Sequence, residues 1–300
     1  MPRAVKKKGS KRPDFVNPLV DILCVEDELP EWLLPDIFLS ETLVVLIGES
    51  GAGKSFLCYL LSIAASTGLS ALSGLAKVTE PKKVLYFDQE NSRQNRNAYI
   101  RRAWNGLTHK LSDHQKMPYL DRAIENFWPF HMELGVEHWA DKVSSAIEMI
   151  EPQLIVFDTA TSCFAIPDEN SNSMATVICN TIRNDLMTLC EPTPTVIILK
   201  HAKTRTEAGQ VRTMRGAKTW KDNADQTLFQ VKAQGRPLSD NLQRTRMMPD
   251  KNRAYGLENT IYITPRYLDG TKSALILEGS WKPDKEHKKR EQIEEYTEEK

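Results

Sequence analysis

A phosphate-binding loop is the clearest chemical signal in the sequence. Eight consecutive residues match the pattern GxxxxGK[ST] at every fixed position: Gly48, Glu49, Ser50, Gly51, Ala52, Gly53, Lys54 and Ser55. Glycines let backbone N–H groups curl around phosphate oxygens, the lysine neutralises the outer phosphates, and the serine hydroxyl binds Mg²⁺. The apolar run LVVLI precedes the loop, and a helix-forming stretch that includes Phe56 follows it. This context predicts that residues 48–56 bind the triphosphate of a nucleotide.

A second ligand for the metal is predicted at Asp158. This aspartate ends the apolar run 154–157 in the sequence LIVFDT. In nucleotide-binding folds of this kind, an aspartate at the end of a neighbouring strand holds Mg²⁺ together with the loop hydroxyl, here that of Ser55. The alternative is an aspartate that only caps the end of its strand.

Two further strands are predicted to end in residues able to act on the outer phosphate. The run KVLYFDQE ends in Asp88 and Glu90, and either carboxylate could polarise a water molecule toward the γ-phosphate. The run VIILKH ends in His201, which could sense that phosphate. The alternatives are a polar loop start for the two acids and a structural role for the histidine.

Charge is segregated along a chain whose net charge is zero. Residues 200–253 contain thirteen basic and five acidic residues, a net charge of +8, which leaves −8 for the remainder. Five of the bases lie close together after His201: Lys203, Arg205, Arg212, Arg215 and Lys218. Such a patch predicts a polyanionic partner, and the alternative is a solvated basic face.

Composition excludes several other classes of protein. The five cysteines are odd in number and lack CxxC spacing, which argues against a zinc knuckle or a disulfide framework. The basic N-terminus has no apolar stretch after it, and no apolar run approaches the roughly 18 residues of a membrane helix. We therefore expect a cytoplasmic or nucleoid-associated protein that does not bind membranes.

Short apolar runs alternate with helical stretches, which predicts an α/β fold with a mainly parallel sheet flanked by helices. The predicted strands are 43–47, 83–87, 154–157, 195–199 and 226–231, and the predicted helices are 55–66, 92–104, 137–149 and 176–189. The runs 260–264 and 274–277 flank Asp269-Gly270, which predicts a C-terminal β-hairpin or edge strands.

Taken in order, these segments resemble the RecA-like ATPases, in particular plasmid RepA-type hexameric helicases and their phage and mobile-element relatives. The similarity spans about residues 30–265 and rests on EWLLPDIFLSETLVVLIGESGAGKS, VLYFDQENS, LIVFDTATSCF, ILKHAKT and RGAKTWKDNADQTLFQV. It implies ATP and Mg²⁺ as cofactors, Glu90 rather than Asp88 as catalytic base, and His201 as sensor. It also implies that residues 204–218 form a loop facing the central channel of a ring.

The same resemblance implies an oligomer, most simply a hexamer. The stretch Asp250-Lys251-Asn252-Arg253 is similar to the KNR segment with which RadA- and KaiC-type subunits reach into a neighbour's nucleotide site. Arg253, with Lys251, would then act in trans, and Arg244 or Arg246 could serve instead. Residues 21–280 would form the RecA-like ATPase domain, between a basic arm at 1–20 and a charged tail at 281–300.

Two function classes remain open on these grounds. The first is an ATP-driven motor on single-stranded DNA in replication or recombination, of the replicative-helicase type. The second is a regulatory or scaffold ATPase, similar to KaiC, whose nucleotide state controls assembly without DNA. A small-molecule kinase is disfavoured because it has no use for Glu90 or a trans arginine, and residues 105–135 match no segment of the family.

Overall fold

The computed structural model describes residues 31–282 except 79, 132–137, 165, 167, 169–170, 203–217, 233–237, 239–241, 253–258 and 269. The chain divides into two units, Met1–Pro30 and Glu31–Lys300, and the first lies wholly outside the described residues. The predicted basic arm therefore lies outside them too, as does all of the predicted tail beyond Lys282. The predicted domain boundaries stay a prediction.

A nine-stranded sheet forms the centre of the described part of the chain. Its strands are β3 (Leu43–Gly48), β4 (Val84–Asp88), β5 (Phe127–Phe130), β6 (Leu154–Asp158), β7 (Thr195–His201), β8 (Gln226–Lys232), β9 (Thr245–Asn252), β10 (Ile261–Tyr267) and β11 (Leu275–Ser280). The order is β11-β10-β9-β8-β3-β7-β6-β4-β5. The six strands from β8 to β5 are parallel, whereas β9, β10 and β11 extend the sheet in antiparallel fashion. A separate ribbon pairs β1 (Trp32–Leu34) with β2 (Phe38–Leu39).

Helices cover both faces of this sheet. They are α1 (Lys54–Thr67), α2 (Arg93–Leu107), α3 (Asp113–Asn126), α4 (Trp139–Ile150), α5 (Ala160–Cys163), α6 (Asn172–Thr181) and α7 (Thr219–Asn223). Successive strand residues point to opposite faces, so Val156 packs with the cluster around α1 while Ile155 and Phe157 pack with the cluster around α4 and α6. Burial on both faces explains why these strands read as continuous apolar runs.

The predicted α/β class is confirmed, including the antiparallel C-terminal pair β10–β11. The predicted helix at 176–189 begins earlier, because the Ser171 hydroxyl accepts a hydrogen bond from the backbone N–H of Met174 and caps α6. It also continues beyond α6 through a π-helical turn at Ile182–Leu186 and a 3₁₀ turn at Met187–Leu189.

The described part of residues 105–135, which match no segment of the resembling family, contains a helix and an edge strand. Ser112 and Gln115 form a reciprocal capping box that starts α3. The following strand β5 pairs only with β4 among the described strands, and Pro129 within it is tolerated because the strand lies at the sheet edge.

Among the described residues, no helix has both the length and the apolar character needed to cross a bilayer. In the same part of the chain, no group of three or more His, Cys, Asp or Glu side chains is placed to hold a metal ion. Four cysteines within it, Cys58, Cys163, Cys179 and Cys190, are free thiols.

Candidate active site

The phosphate-binding loop joins the fully buried strand β3 to helix α1. Gly53 caps α1 with φ 81°, a left-handed conformation that glycine adopts without strain. At Gly48, where β3 ends, a side chain would overlap the backbone oxygen of Gln230 on the neighbouring strand β8. The loop is therefore held against β8, and the Nε2 of Gln230 donates to the carbonyl oxygen of Ala52 over 2.8 Å. The backbone N–H groups at the start of α1 are the expected anion-binding donors.

Lys54 places its ammonium group at the mouth of this loop. Its side chain is buried, and Nζ donates to the carbonyl oxygens of Gly48 at 2.9 Å and Glu49 at 3.1 Å. Burial lowers the pKa of Lys54, although the carboxylates of Asp158 and Glu90 oppose that shift. A lysine held here lies where it can contact the outer phosphates of a nucleotide.

Ser55 and Asp158 meet across the base of the loop. The Ser55 hydroxyl donates to Oδ1 of Asp158 over 3.1 Å, and the Tyr86 hydroxyl donates to Oδ2 over 2.9 Å. Asp158 is fully buried, and burial, assisted by the charge of Asp88, raises its pKa to about 7. A hydroxyl and a carboxylate from two adjacent elements suit Mg²⁺, which usually takes one or two protein ligands beside phosphates and water. The residues present therefore fit the predicted metal site.

Glu90 and His201 face each other on the far side of the loop from β8. His201 ends β7, and its Nε2 lies 3.5 Å from Oε1 of Glu90. The contact with His201, with a smaller contribution from the Thr159 hydroxyl, lowers the pKa of Glu90, while partial burial opposes it. The Glu90 side chain is 40% exposed, so water can reach its carboxylate. Asp88, two residues earlier, is fully buried.

A cavity of about 220 Å³ lies at the carboxyl edge of the parallel strands. Its lining includes Lys54, Ser55, Glu90, Thr159 and His201. The structure thus brings together four elements that the sequence predicted separately: the phosphate loop, the end of β6, the turn after β4 and the end of β7. Phe56, predicted within the nucleotide site, also lines this cavity.

A larger cavity of about 370 Å³ adjoins the first and shares Gly51, Gly53, Phe56 and Tyr99 with it. Its other walls come from α2, β8 and the C-terminal strands, including Arg102, Gln230, Lys232, Leu242, Pro265 and Tyr267. The Nζ of Lys232 lies 3.3 Å from the point that a Cβ on Gly51 would occupy. Sequence reasoning missed these residues, because they carry no motif and only the fold brings β10 beside the loop.

Two predicted features lie outside the described residues. Arg253 is one, and residues 204–217 of the predicted loop are the other. Lys251 is described, and its Nζ donates to the carbonyl oxygens of Lys221 at 2.6 Å and Asp222 at 2.8 Å in its own chain. Of the alternatives, Arg246 lies on β9 opposite Val231, and Arg244 directly precedes that strand. The trans assignment stays a prediction.

A comparison with known protein families assigns the larger part of the chain to one of them. A family model described as an AAA domain matches residues 10–207, which is more than half of the 300-residue chain and includes the phosphate loop, Glu90, Asp158 and His201. A search of curated proteins found no match. Because the family model covers the phosphate loop and most of the parallel sheet, the chain belongs to the AAA domain family of P-loop ATPases.

Proposed function

We propose that this protein is an ATP-hydrolysing motor that acts on single-stranded DNA, as a RecA-like ring ATPase of the replicative-helicase type. The observation that carries the proposal is the position of His201. This residue contacts Glu90 in the phosphate cavity and lies at the end of β7, directly before the basic segment 203–218. One strand end therefore links the site of hydrolysis to the residues best suited to bind a polyanion.

Hydrolysis would use groups already assembled in the cavity. Glu90 accepts a proton from a water molecule whose oxygen attacks the γ-phosphorus, and ADP leaves as the bond to the β-phosphate oxygen breaks. Lys54 lies where it can neutralise charge on the outer phosphates, and His201 where it can sense the γ-phosphate. Mg²⁺, when bound at Ser55 and Asp158, supplies further charge neutralisation at the phosphate oxygens.

The larger cavity supports ATP as the nucleotide. Tyr99 and Tyr267 offer aromatic surface for a base, and Gln230 and Gln243 also line the cavity. Guanine presents two neighbouring N–H donors that a carboxylate would recognise best, and no carboxylate is among the described residues that line this cavity. The described lining therefore favours adenine over guanine.

The charge distribution supports the segment 203–218 as the DNA contact. Several basic residues of the region 200–253 are engaged elsewhere: Lys200 is buried with Nζ 5.0 Å from the ring centre of Trp220, Lys251 bonds to the end of α7, and Lys221 pairs with Asp250 at 2.8 Å. The sequence of the segment itself contains five basic residues and one acidic residue, Glu207. No aromatic residue occurs in it before Trp220, so backbone contacts should dominate and sequence preference should be weak.

The test is ATP turnover with and without single-stranded DNA at low salt. We expect stimulation in the wild type and none in the double variant Arg212→Ala/Arg215→Ala, which should keep its basal turnover. DNA affinity of the variant should fall, and the slope of log K against log salt should shrink by roughly 0.7 for each lost contact. Fluorescence anisotropy over a salt series measures both.

The matched control removes two exposed lysines from the described surface, as Lys110→Ala/Lys142→Ala. It loses the same formal charge and should retain stimulation. Unchanged DNA affinity in the arginine variant would move the contacts elsewhere, for instance to the basic arm at 1–20. A wild type that binds no DNA with nucleotide present would favour the scaffold-ATPase alternative.

A further inference from the structure

Asp88 is a buried carboxylate that has no role in the proposed hydrolysis mechanism. It ends β4 and is fully buried. Its Oδ2 accepts hydrogen bonds from the Tyr59 hydroxyl at 2.7 Å and from Nδ2 of Asn91 at 3.1 Å. Its Oδ1 accepts from the backbone N–H groups of Glu90 at 3.2 Å and Asn91 at 2.9 Å, and from Nδ2 of Asn91 at 3.2 Å.

These contacts rule out Asp88 as a base and indicate a different task. A carboxylate offers about four lone-pair positions, and the five contacts saturate them. With no exposure and no free lone pair, it cannot take a proton from water. Two of the donors, however, are the backbone N–H groups of the turn that carries Glu90, so the position of that turn depends on Asp88.

The rest of the network connects this turn to the phosphate loop. Tyr59 lies on α1, the helix that starts at Lys54, and its ring stacks on Tyr86 with centroids 4.1 Å apart. Tyr86 in turn donates to Asp158. The next residue along the turn, Gln89, donates its backbone N–H to the carbonyl oxygen of Asp158 over 3.0 Å. The turn is thus bound to α1 through Asp88 and to β6 through Gln89.

We propose that Asp88 is a positioning residue, which holds the turn between β4 and α2 so that the Glu90 carboxylate faces His201 and the phosphate cavity. This inference rests on the proposed ATP hydrolysis with Glu90 as base. Reaction rates are sensitive to such placement, since a displacement of about 1 Å can cost roughly 100-fold in turnover. Without the carboxylate, the N–H groups of Glu90 and Asn91 lose their acceptor, and the turn can move.

The test is a double-substitution cycle on kcat, measured in single turnovers with ATP. Asp88→Asn should lower kcat at least tenfold, because the new NH₂ group is a donor placed against the donor groups of Tyr59 and Asn91. The affinity for a non-hydrolysable ATP analogue should stay within about twofold. In the Glu90→Gln background, Asp88→Asn should cause no further loss. An effect on protein stability alone would appear equally in both backgrounds.

A pH profile separates positioning from base chemistry. Two carboxylates can lower kcat at acidic pH: Asp158, whose pKa is raised to about 7 by burial, and Glu90, whose pKa is lowered by His201. The limb that Glu90 contributes at the lower pH should persist in Asp88→Asn and should disappear in Glu90→Gln. Disappearance of that limb in Asp88→Asn instead would overturn the proposal, as would an additive loss in the Glu90→Gln background or an unchanged kcat.

Two tyrosine variants keep the test valid if Asp88→Asn fails to fold. Tyr59→Phe removes one hydroxyl from Asp88, and its smaller loss of kcat should also vanish in the Glu90→Gln background. Tyr86→Phe, from the same stacked pair, removes a hydroxyl from Asp158 and should lower kcat in both backgrounds. The proposal is contradicted if Tyr59→Phe lowers kcat further in the Glu90→Gln background while Tyr86→Phe does not. A wild type without ATP turnover would contradict the proposed function itself, which is a distinguishable result.

Discussion

Asp88 and Glu90 are only two residues apart, yet their surroundings give them different chemistry. Asp88 is saturated with donors and fully buried, whereas the Glu90 carboxylate is 40% exposed and borders the phosphate cavity. Glu90→Gln should therefore keep nucleotide binding and lose turnover by about 100-fold or more, since an amide cannot accept the proton. Phosphate release and analogue binding measure the two effects. If Glu90→Gln turns over at the wild-type rate, Glu90 is not the base.

His201 should set the pH range in which Glu90 works. Its contact lowers the pKa of Glu90, so the base stays ionised to lower pH than it otherwise would. In His201→Ala the opposing effect of burial remains, the pKa of Glu90 rises, and the acidic limb of the kcat profile should move to higher pH. His201→Gln, which can still donate a hydrogen bond, should move it less. A limb at the same pH in the alanine variant would show that the contact does not tune Glu90.

At the scale of elements, predictability followed the strength of the periodic signal. The strands β3, β4, β6 and β7 are buried on both faces and are nearly continuous apolar runs, which the sequence pattern reveals. Helix α3 has no buried residue, since its apolar residues Met117, Leu120 and Ile124 recur at helical spacing but are exposed, and β5 is an edge strand with a proline. The capping box at Ser112 and Gln115 was a second local signal for α3.

The residues of the candidate site also fall into two groups, those with a local sequence signal and those without one. Lys54, Ser55 and Asp158 could be found because their motifs are local and follow apolar strands. Tyr99, Gln230 and Tyr267 could not, since their place at the larger cavity depends on how α2, β8 and β10 pack around the loop. Such long-range proximity leaves no pattern in a single sequence.

The contact of α2 with β11 leaves no room for a side chain at Gly106. A Cβ there would overlap the carbonyl oxygen of Leu275, which is backbone and cannot rotate away. Gly106→Ala should therefore destabilise the protein by about 1–3 kcal/mol, the usual cost of overpacking. Gly270→Ala is the matched control, because nothing lies within 4 Å of its Cβ position. Denaturant unfolding compares the two, and equal stability of both variants would contradict the close packing.

At the scale of the whole molecule, the resemblance to ring ATPases predicts a site completed by a neighbouring subunit. Mixtures of Lys54→Ala and Arg253→Ala subunits should recover some ATP turnover, because one interface then combines an intact loop with an intact arginine. Loss of a trans arginine costs about 10³-fold or more in related chemistry, so even partial recovery is measurable. Each variant alone is the control. No recovery at any ratio, or an active monomer in light scattering, would contradict the arrangement.

The phosphate loop lies between the two strands that the basic segment connects. β3, which leads into the phosphate loop, lies between β7 and β8, so that Gly48 is level with His201 on one side and Gln230 on the other. Residues 203–217 join the end of β7 to α7 and β8, so both ends of this 15-residue span are tied to the two neighbours of one strand. Under the proposed function, a DNA strand bound by this segment would act on the phosphate loop from both sides of β3 at once. The length of the segment should therefore matter for DNA-stimulated ATP turnover, which insertions into it would measure.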